Sequence, residues 1–228
     1  MKTTQYGSAG SAPCLCVVFL PGRGGRMEDF EKAGFPRMVE GRLPHATMIA
    51  ADAHSGYYAE RILVDRLHED VVLPLREKGC ERVWLAGVSM GGLGALLHAR
   101  YRREDVAGLI LLAPFLGDAE VIDEITAAGG PLKWAPKEPL GPGDYQRDIW
   151  RWLRDNARLG ERGIPIWLGY GTDDRRVKGC PLLATILPSG QTATAPGGHD
   201  WRTWSLLWER LLASGALAGP PPGNGGAV

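Results

Sequence analysis

Short apolar runs recur along this chain without the alternation of polar residues that a half-exposed strand shows. Leu15 to Leu20, Ala46 to Ala51, Val83 to Val88, Val106 to Ala113 and Ile164 to Tyr170 are each of strand length and rich in Val, Ile, Leu or Ala. Strands buried on both faces read this way, which is the condition of a parallel sheet covered by helices. Gln191 to Ala195 reads as a weaker last strand. The segments between them have a helical period. Tyr58 to Lys78 spaces Ile62, Leu63, Leu67, Val71, Val72 and Leu75 along one helix, and Gly79 ends it. Met90 to Arg102 carries Leu93, Leu96, Leu97 and Tyr101 on related faces, and Trp201 to Ala213 forms the last helix. Asp144 to Leu159 mixes Trp, Leu and Arg in helical fashion, with Asp144 placed to cap its start. Strand and helix alternate throughout, so the expected class is α/β, with a mostly parallel sheet and right-handed crossovers.

One interval breaks the rhythm. From about residue 116 to 143 the chain holds a short helical piece (Glu120 to Ala127) and a Gly/Pro-rich stretch around Trp134. Loops this long in a compact domain are commonly functional covers, so a lid-like insertion is expected there. Residues 1–218 then form one domain, and the Pro/Gly-rich residues 219–228 are expected to be a disordered tail.

Composition narrows the function classes. The 228 residues suit one domain with a sizeable core, and 44% hydrophobic with 23% charged residues is ordinary for a globular protein. Acidic and basic residues balance at 26 each, so there is no electrostatic footprint for nucleic acid. No apolar run approaches the roughly 20 residues of a membrane span, and no signal-peptide layout is visible. A cytoplasmic protein with a small-molecule partner, and without nucleic-acid or membrane partners, is the expectation. Cys14, Cys16, Cys80 and Cys180 suggest neither a disulfide framework nor a zinc site, and are read as small buried apolar residues.

The chemistry is carried by Gly87-Val88-Ser89-Met90-Gly91, a Gly-x-Ser-x-Gly pattern lying between a β-rich run and a helix. That is the strand–turn–helix setting of a nucleophile elbow, in which flanking side chains would clash with the adjacent strand and helix. Ser89 is the expected nucleophile. A serine hydroxyl needs a neighbouring base, and His199, in Gly197-Gly198-His199-Asp200-Trp201 before the last helix, is the candidate. His45, His68 and His98 read as surface or packing residues; His54 is a weaker candidate for the pocket mouth. An acid must orient His199. Asp173 and Asp174 both follow the Ile164–Tyr170 strand; Asp174 is favoured, with Asp173 and then Asp118 behind it. For the oxyanion, the backbone N–H of Met90 is one expected donor. The other comes from Pro21-Gly22-Arg23-Gly24-Gly25 after the first strand, with Arg23 favoured over Gly22. Gly22, Tyr57, Phe115, Leu116 and Trp134 are candidate substrate-binding residues by position. No metal or organic cofactor is implied.

As a set, Leu-Pro-Gly-Arg-Gly-Gly, Gly-x-Ser-x-Gly-Gly, Gly-Thr-Asp-Asp and Gly-Gly-His-Asp-Trp resemble the esterase and thioesterase branch of the α/β-hydrolase superfamily, from about Cys14 to Ala213. The downstream Trp204 and Trp208 are also similar to those of small carboxylesterases. Where that group normally reads His-Gly at the first strand end, this chain has Pro21-Gly22. The resemblance implies a single-domain α/β-hydrolase fold and a Ser-acid-His triad. Only a short segment precedes the first recognised strand, so the N-terminal antiparallel pair is expected to be missing or reduced, leaving about six strands. The implied activity is that of a carboxylesterase working through an acyl-enzyme. The alternatives are an acyl-thioesterase or amidase with the same triad, or an inactive binding module on this fold.

Overall fold

A computed structural model describes residues 1–7, 15–141 and 143–217. Its centre is a seven-stranded sheet made of β1 (Thr3–Tyr6), β2 (Leu15–Leu20), β3 (Thr47–Ala51), β4 (Arg82–Val88), β5 (Gly108–Leu112), β6 (Ile166–Gly171) and β7 (Thr192–Ala195). The spatial order is β1-β3-β2-β4-β5-β6-β7. Every neighbouring pair is parallel except β1 with β3, where Thr3 faces Ala51 and Tyr6 faces Met48 in antiparallel register. The sheet thus has one strand more than the six expected. The N-terminal edge is reduced to a single antiparallel strand rather than lost. That strand, Thr-Thr-Gln-Tyr, is polar and half exposed, so it lacks the apolar run by which the buried strands are recognised.

The apolar runs behave as their composition dictates. β3 and β5 are buried at every position, and β2 at all but its first. The helices are α1 (Glu28–Lys32), α2 (Phe35–Glu40), α3 (Ser55–Ala59), α4 (Leu63–Leu67), α5 (Leu73–Glu77), α6 (Met90–Tyr101), α7 (Ala119–Ala127), α8 (Tyr145–Arg158), α9 (Gly179–Ala184) and α10 (Trp201–Ala213). They flank the sheet. α6 packs on β4 and β5 and touches α4 and α8, whereas α10 packs on β6 and β7 and touches α2. Among the described residues no helix is long and apolar enough to cross a membrane.

The single helix expected over Tyr58 to Lys78 is broken. α3 stops at Ala59, Arg61 takes a left-handed φ of 59°, and the chain restarts as α4. A π-helical turn (His68–Val72) then precedes α5. Pro74 explains that turn: it has no N–H for the carbonyl four residues back, and its ring would collide with that carbonyl in a regular helix. Asp144 stands at the start of α8 without capping it; its carboxylate instead accepts from the Gly141 N–H and the Arg147 guanidinium.

The described residues of the 116–143 interval are strapped to α8. Arg147 pairs with Glu120 and Glu124, and the Trp134 indole N–H donates to Glu124 at 2.8 Å. Arg154 and Arg158 donate to the carbonyls of Trp134 and Leu132. The tail expected to be disordered, residues 219–228, lies outside the described residues, as does Cys14.

The reading of the cysteines needs one correction. Cys16 and Cys80 form a disulfide, with Cα atoms 6.2 Å apart, while Cys180 is a buried free thiol. The partners are 64 residues apart, and only the parallel pairing of β2 with β4, which sets Cys16 opposite Val83, brings Cys80 beside β2.

Candidate active site

The C-terminal ends of β2, β4, β5, β6 and the loop after β7 converge on Ser89. The elbow is tight. A Cβ on Gly87 would overlap the Gly91 carbonyl, and one on Gly91 would overlap the Leu20 and Pro21 carbonyls, so strand, turn and helix can approach only with glycine at both positions. Ser89 itself has φ 53° and ψ −114°, a conformation costing about 1–3 kcal/mol and held only where surroundings over-determine it. They do so here through β5 and its following residues: the Ser89 N–H donates to the Leu112 carbonyl at 2.9 Å, and the Ser89 carbonyl accepts from the Phe115 N–H at 3.0 Å.

Ser89 Oγ lies 2.9 Å from Nε2 of His199, and Nδ1 of the same ring lies 2.6 Å from Oδ2 of Asp174. The Asp174 side chain is almost fully buried and that of His199 is 14% exposed, so both bonds are largely shielded from water. The other Asp174 oxygen accepts from the Arg176 N–H at 2.9 Å. Asp173 points elsewhere, accepting from the Gly197 N–H at 2.9 Å. Asp118 is bonded to Gln146. Asp200, not His199, caps α10, accepting from the Thr203 N–H, and that donor holds its carboxyl below the usual range.

Trp204, one turn into α10, meets the His199 ring edge-to-face at 5.0 Å. It continues through Trp201 and Phe30 to Phe19, Phe35 and Trp208 as a contiguous aromatic cluster. The imidazole is therefore braced against the core. The sequence placed Trp204 only by its similarity to small carboxylesterases, and nothing in it pointed to the contact with His199.

The loop after β2 passes beside the serine: a Cβ on Gly22 would stand 3.3 Å from Ser89 Cβ and 3.9 Å from Oγ. Arg23, next to it, is exposed. Met90 is the first residue of α6, where N–H groups have no intrahelical partner. Tyr57, in α3 after β3, and Phe115, on the loop after β5, are partly exposed. Leu116 and Trp134 are 4% and 3% exposed. The Leu116 carbonyl accepts from the Trp150 indole, and its side chain packs near Gly179. Both side chains are buried and hold the insertion in place, rather than lining an open pocket as expected.

His54, His68 and His98 have structural roles. His54 caps α3 through Nδ1 and stacks near Tyr57. His68 and His98 bond to Asp105 at 2.6 and 3.2 Å, away from Ser89 at the start of β5. No group of three or more His, Cys, Asp or Glu among the described residues is arranged to hold a metal ion.

A family model named Esterase, described as "Putative esterase", matches residues 50–213. No curated protein sequence matches the chain. Among solved structures the chain is similar to Est1E from Butyrivibrio proteoclasticus, at 17% identity over 95% of this chain and 93% of that one, with a TM-score of 0.65. It is also similar to the S-formylglutathione hydrolase FrmB from Staphylococcus aureus, at 18% identity over 88% and 80% of the two chains and a TM-score of 0.58. An S-formylglutathione hydrolase from Agrobacterium tumefaciens gives 17% identity over 88% and 83%, with a TM-score of 0.59. At these identities the likeness is one of fold.

Proposed function

Because the chain belongs to this esterase family, and so to the ester-hydrolysing serine enzymes of the α/β-hydrolase superfamily, we propose that it is a carboxylesterase with Ser89 as nucleophile, His199 as base and Asp174 as orienting acid. The observation that carries this reading is the unbroken hydrogen-bonded line Asp174–His199–Ser89, at 2.6 and 2.9 Å.

The roles follow from proton inventory. An ionised carboxylate only accepts, so Nδ1 of His199 holds the ring proton and Nε2 is free to accept from the Ser89 hydroxyl. As Oγ attacks the ester carbonyl, that proton passes to Nε2, and Asp174 stabilises the imidazolium. The same proton then goes to the departing alkoxide. Water enters, gives a proton to His199 and releases the acid from Ser89. Negative charge on the tetrahedral oxygen falls to backbone N–H groups of Met90 and of Arg23, with Gly22 as the alternative in that loop. Each such donor is worth about 10²–10³ in turnover. Tyr57 and Phe115 are the proposed walls of the substrate pocket.

The test is hydrolysis of p-nitrophenyl esters beside acyl-CoA thioesters and anilides, with Ser89→Ala in parallel. Ester turnover that vanishes in Ser89→Ala, together with a fluorophosphonate adduct on the Ser89 peptide, supports the reading. An unlabelled and inactive wild type across about pH 6–9 overturns it in favour of a binding module.

A further inference from the structure

Building on Ser89 as nucleophile, we propose that the loop after β6 forms an anion-binding subsite, and that the natural ester carries a carboxylate or phosphate besides the scissile bond. A cavity of about 330 Å³ opens beside Asp174, with Tyr170, Val177 and Pro181 as apolar walls and Arg175 and Lys178 among its lining residues. Asp174, which lines this cavity, is joined to Ser89 through the His199 ring, so the cavity adjoins the acid end of the triad.

The cations are free to meet a ligand. Arg175, Arg176 and Lys178 are all exposed, and among the described residues none of them makes an ion pair. Arg23 on the loop after β2 and Arg202 at the start of α10 are likewise exposed and unpaired. The nearby carboxylates do not collapse onto them. Asp174 is engaged by His199 and the Arg176 N–H, Asp173 by the Gly197 N–H, and Asp200 by Thr203. The chain as a whole balances 26 basic against 26 acidic residues, so these cations are not the overflow of a basic protein. Charges on the wall of a cleft act more strongly than the same charges on an open surface, because low-dielectric walls focus the field. A guanidinium also offers the paired donors that carboxylate and phosphate oxygens accept.

The experiment compares matched esters differing by one anionic group. p-Nitrophenyl hemiglutarate against p-nitrophenyl valerate places a carboxylate in the acyl part. The 4-carboxylate and 4-phosphate of phenyl butyrate, against phenyl butyrate itself, place either anion in the alcohol part. In at least one pair, kcat/KM should favour the anion by about tenfold at low salt. That ratio should fall about fivefold or more in Arg175→Gln/Lys178→Gln, and should shrink as NaCl is raised from about 0.05 to 0.5 M. Thermal midpoints of the double variant, measured alongside, separate a lost site from a lost fold. A ratio at or below one in every pair, or an equal ratio in wild type and double variant, overturns the subsite while leaving the esterase intact. Neutral-ester hydrolysis that survives in Ser89→Ala would instead remove the nucleophile on which the subsite rests.

Discussion

The Gly197 N–H donates to Asp173 Oδ2 at 2.9 Å, and the Asp173 N–H donates back to the Gly197 carbonyl at 3.1 Å. This reciprocal pair ties the loop that carries Asp174 to the loop that carries His199. The two adjacent aspartates thus divide the work: one fastens the loops, the other bonds the imidazole.

From that division, Asp174→Asn should lower kcat by about 10⁴ with little change in folding, because the neutral amide no longer enforces the ring tautomer or stabilises the imidazolium. Asp173→Ala should do the reverse. It removes the side-chain half of the reciprocal pair, worth about 1 kcal/mol, while the backbone half remains, so the thermal midpoint falls with a far smaller loss of turnover. Initial rates on p-nitrophenyl butyrate and thermal melts of both variants check this; equal kinetic losses would contradict the assignment.

Gly91 is closed to any side chain by the backbone carbonyls of Leu20 and Pro21, which cannot rotate aside. Gly91→Ala should cost about 1–3 kcal/mol as overpacking. By shifting the start of α6 against Ser89 it should also reduce kcat about 10²-fold. Gly143→Ala, where nothing lies within 4 Å, is the control and should melt and turn over like wild type.

Trp204 packs edge-to-face with the His199 ring, so its loss frees the imidazole to leave the Ser89 line. Trp204→Leu should reduce kcat about tenfold more than it changes KM. Trp204→Phe, which keeps an aromatic surface, should restore most of the rate. A KM effect as large as the kcat effect would assign Trp204 to substrate binding instead.

Asp105 gives the fold a dependence on acid. Burial alone would raise its carboxyl, but hydrogen bonds from His98 and His68 hold it down to about 2, below its ordinary 3.8. A depressed folded value means the group stabilises the fold above its unfolded value and loses that contribution as pH falls through the folded one. Urea midpoints should therefore drop more steeply for wild type than for Asp105→Asn between about pH 4 and pH 2. Parallel curves would show that the pair of histidines contributes nothing through this carboxylate.

Much of the architecture was legible in the chain itself. Buried strands such as β5, Gly-Leu-Ile-Leu-Leu, have a composition that only a sheet covered on both faces satisfies, and the elbow glycines announce a turn too tight for side chains. The edge strand β1 escaped because a polar, half-exposed strand carries no such signature. The break at Arg61 escaped because the apolar period runs straight through it.

What one-dimensional order determined here was therefore local: which segments are strand or helix, and that a serine, an aspartate pair and a histidine each follow a strand. What only tertiary structure decided was which of these groups meet. Asp174 rather than Asp173 faces the ring, Cys80 lies beside Cys16, and Trp204 lies against His199. Adjacent residues such as the two aspartates share one composition and one local environment, so their roles differ only in direction. That direction is set by hydrogen bonds and packing between segments far apart in the chain.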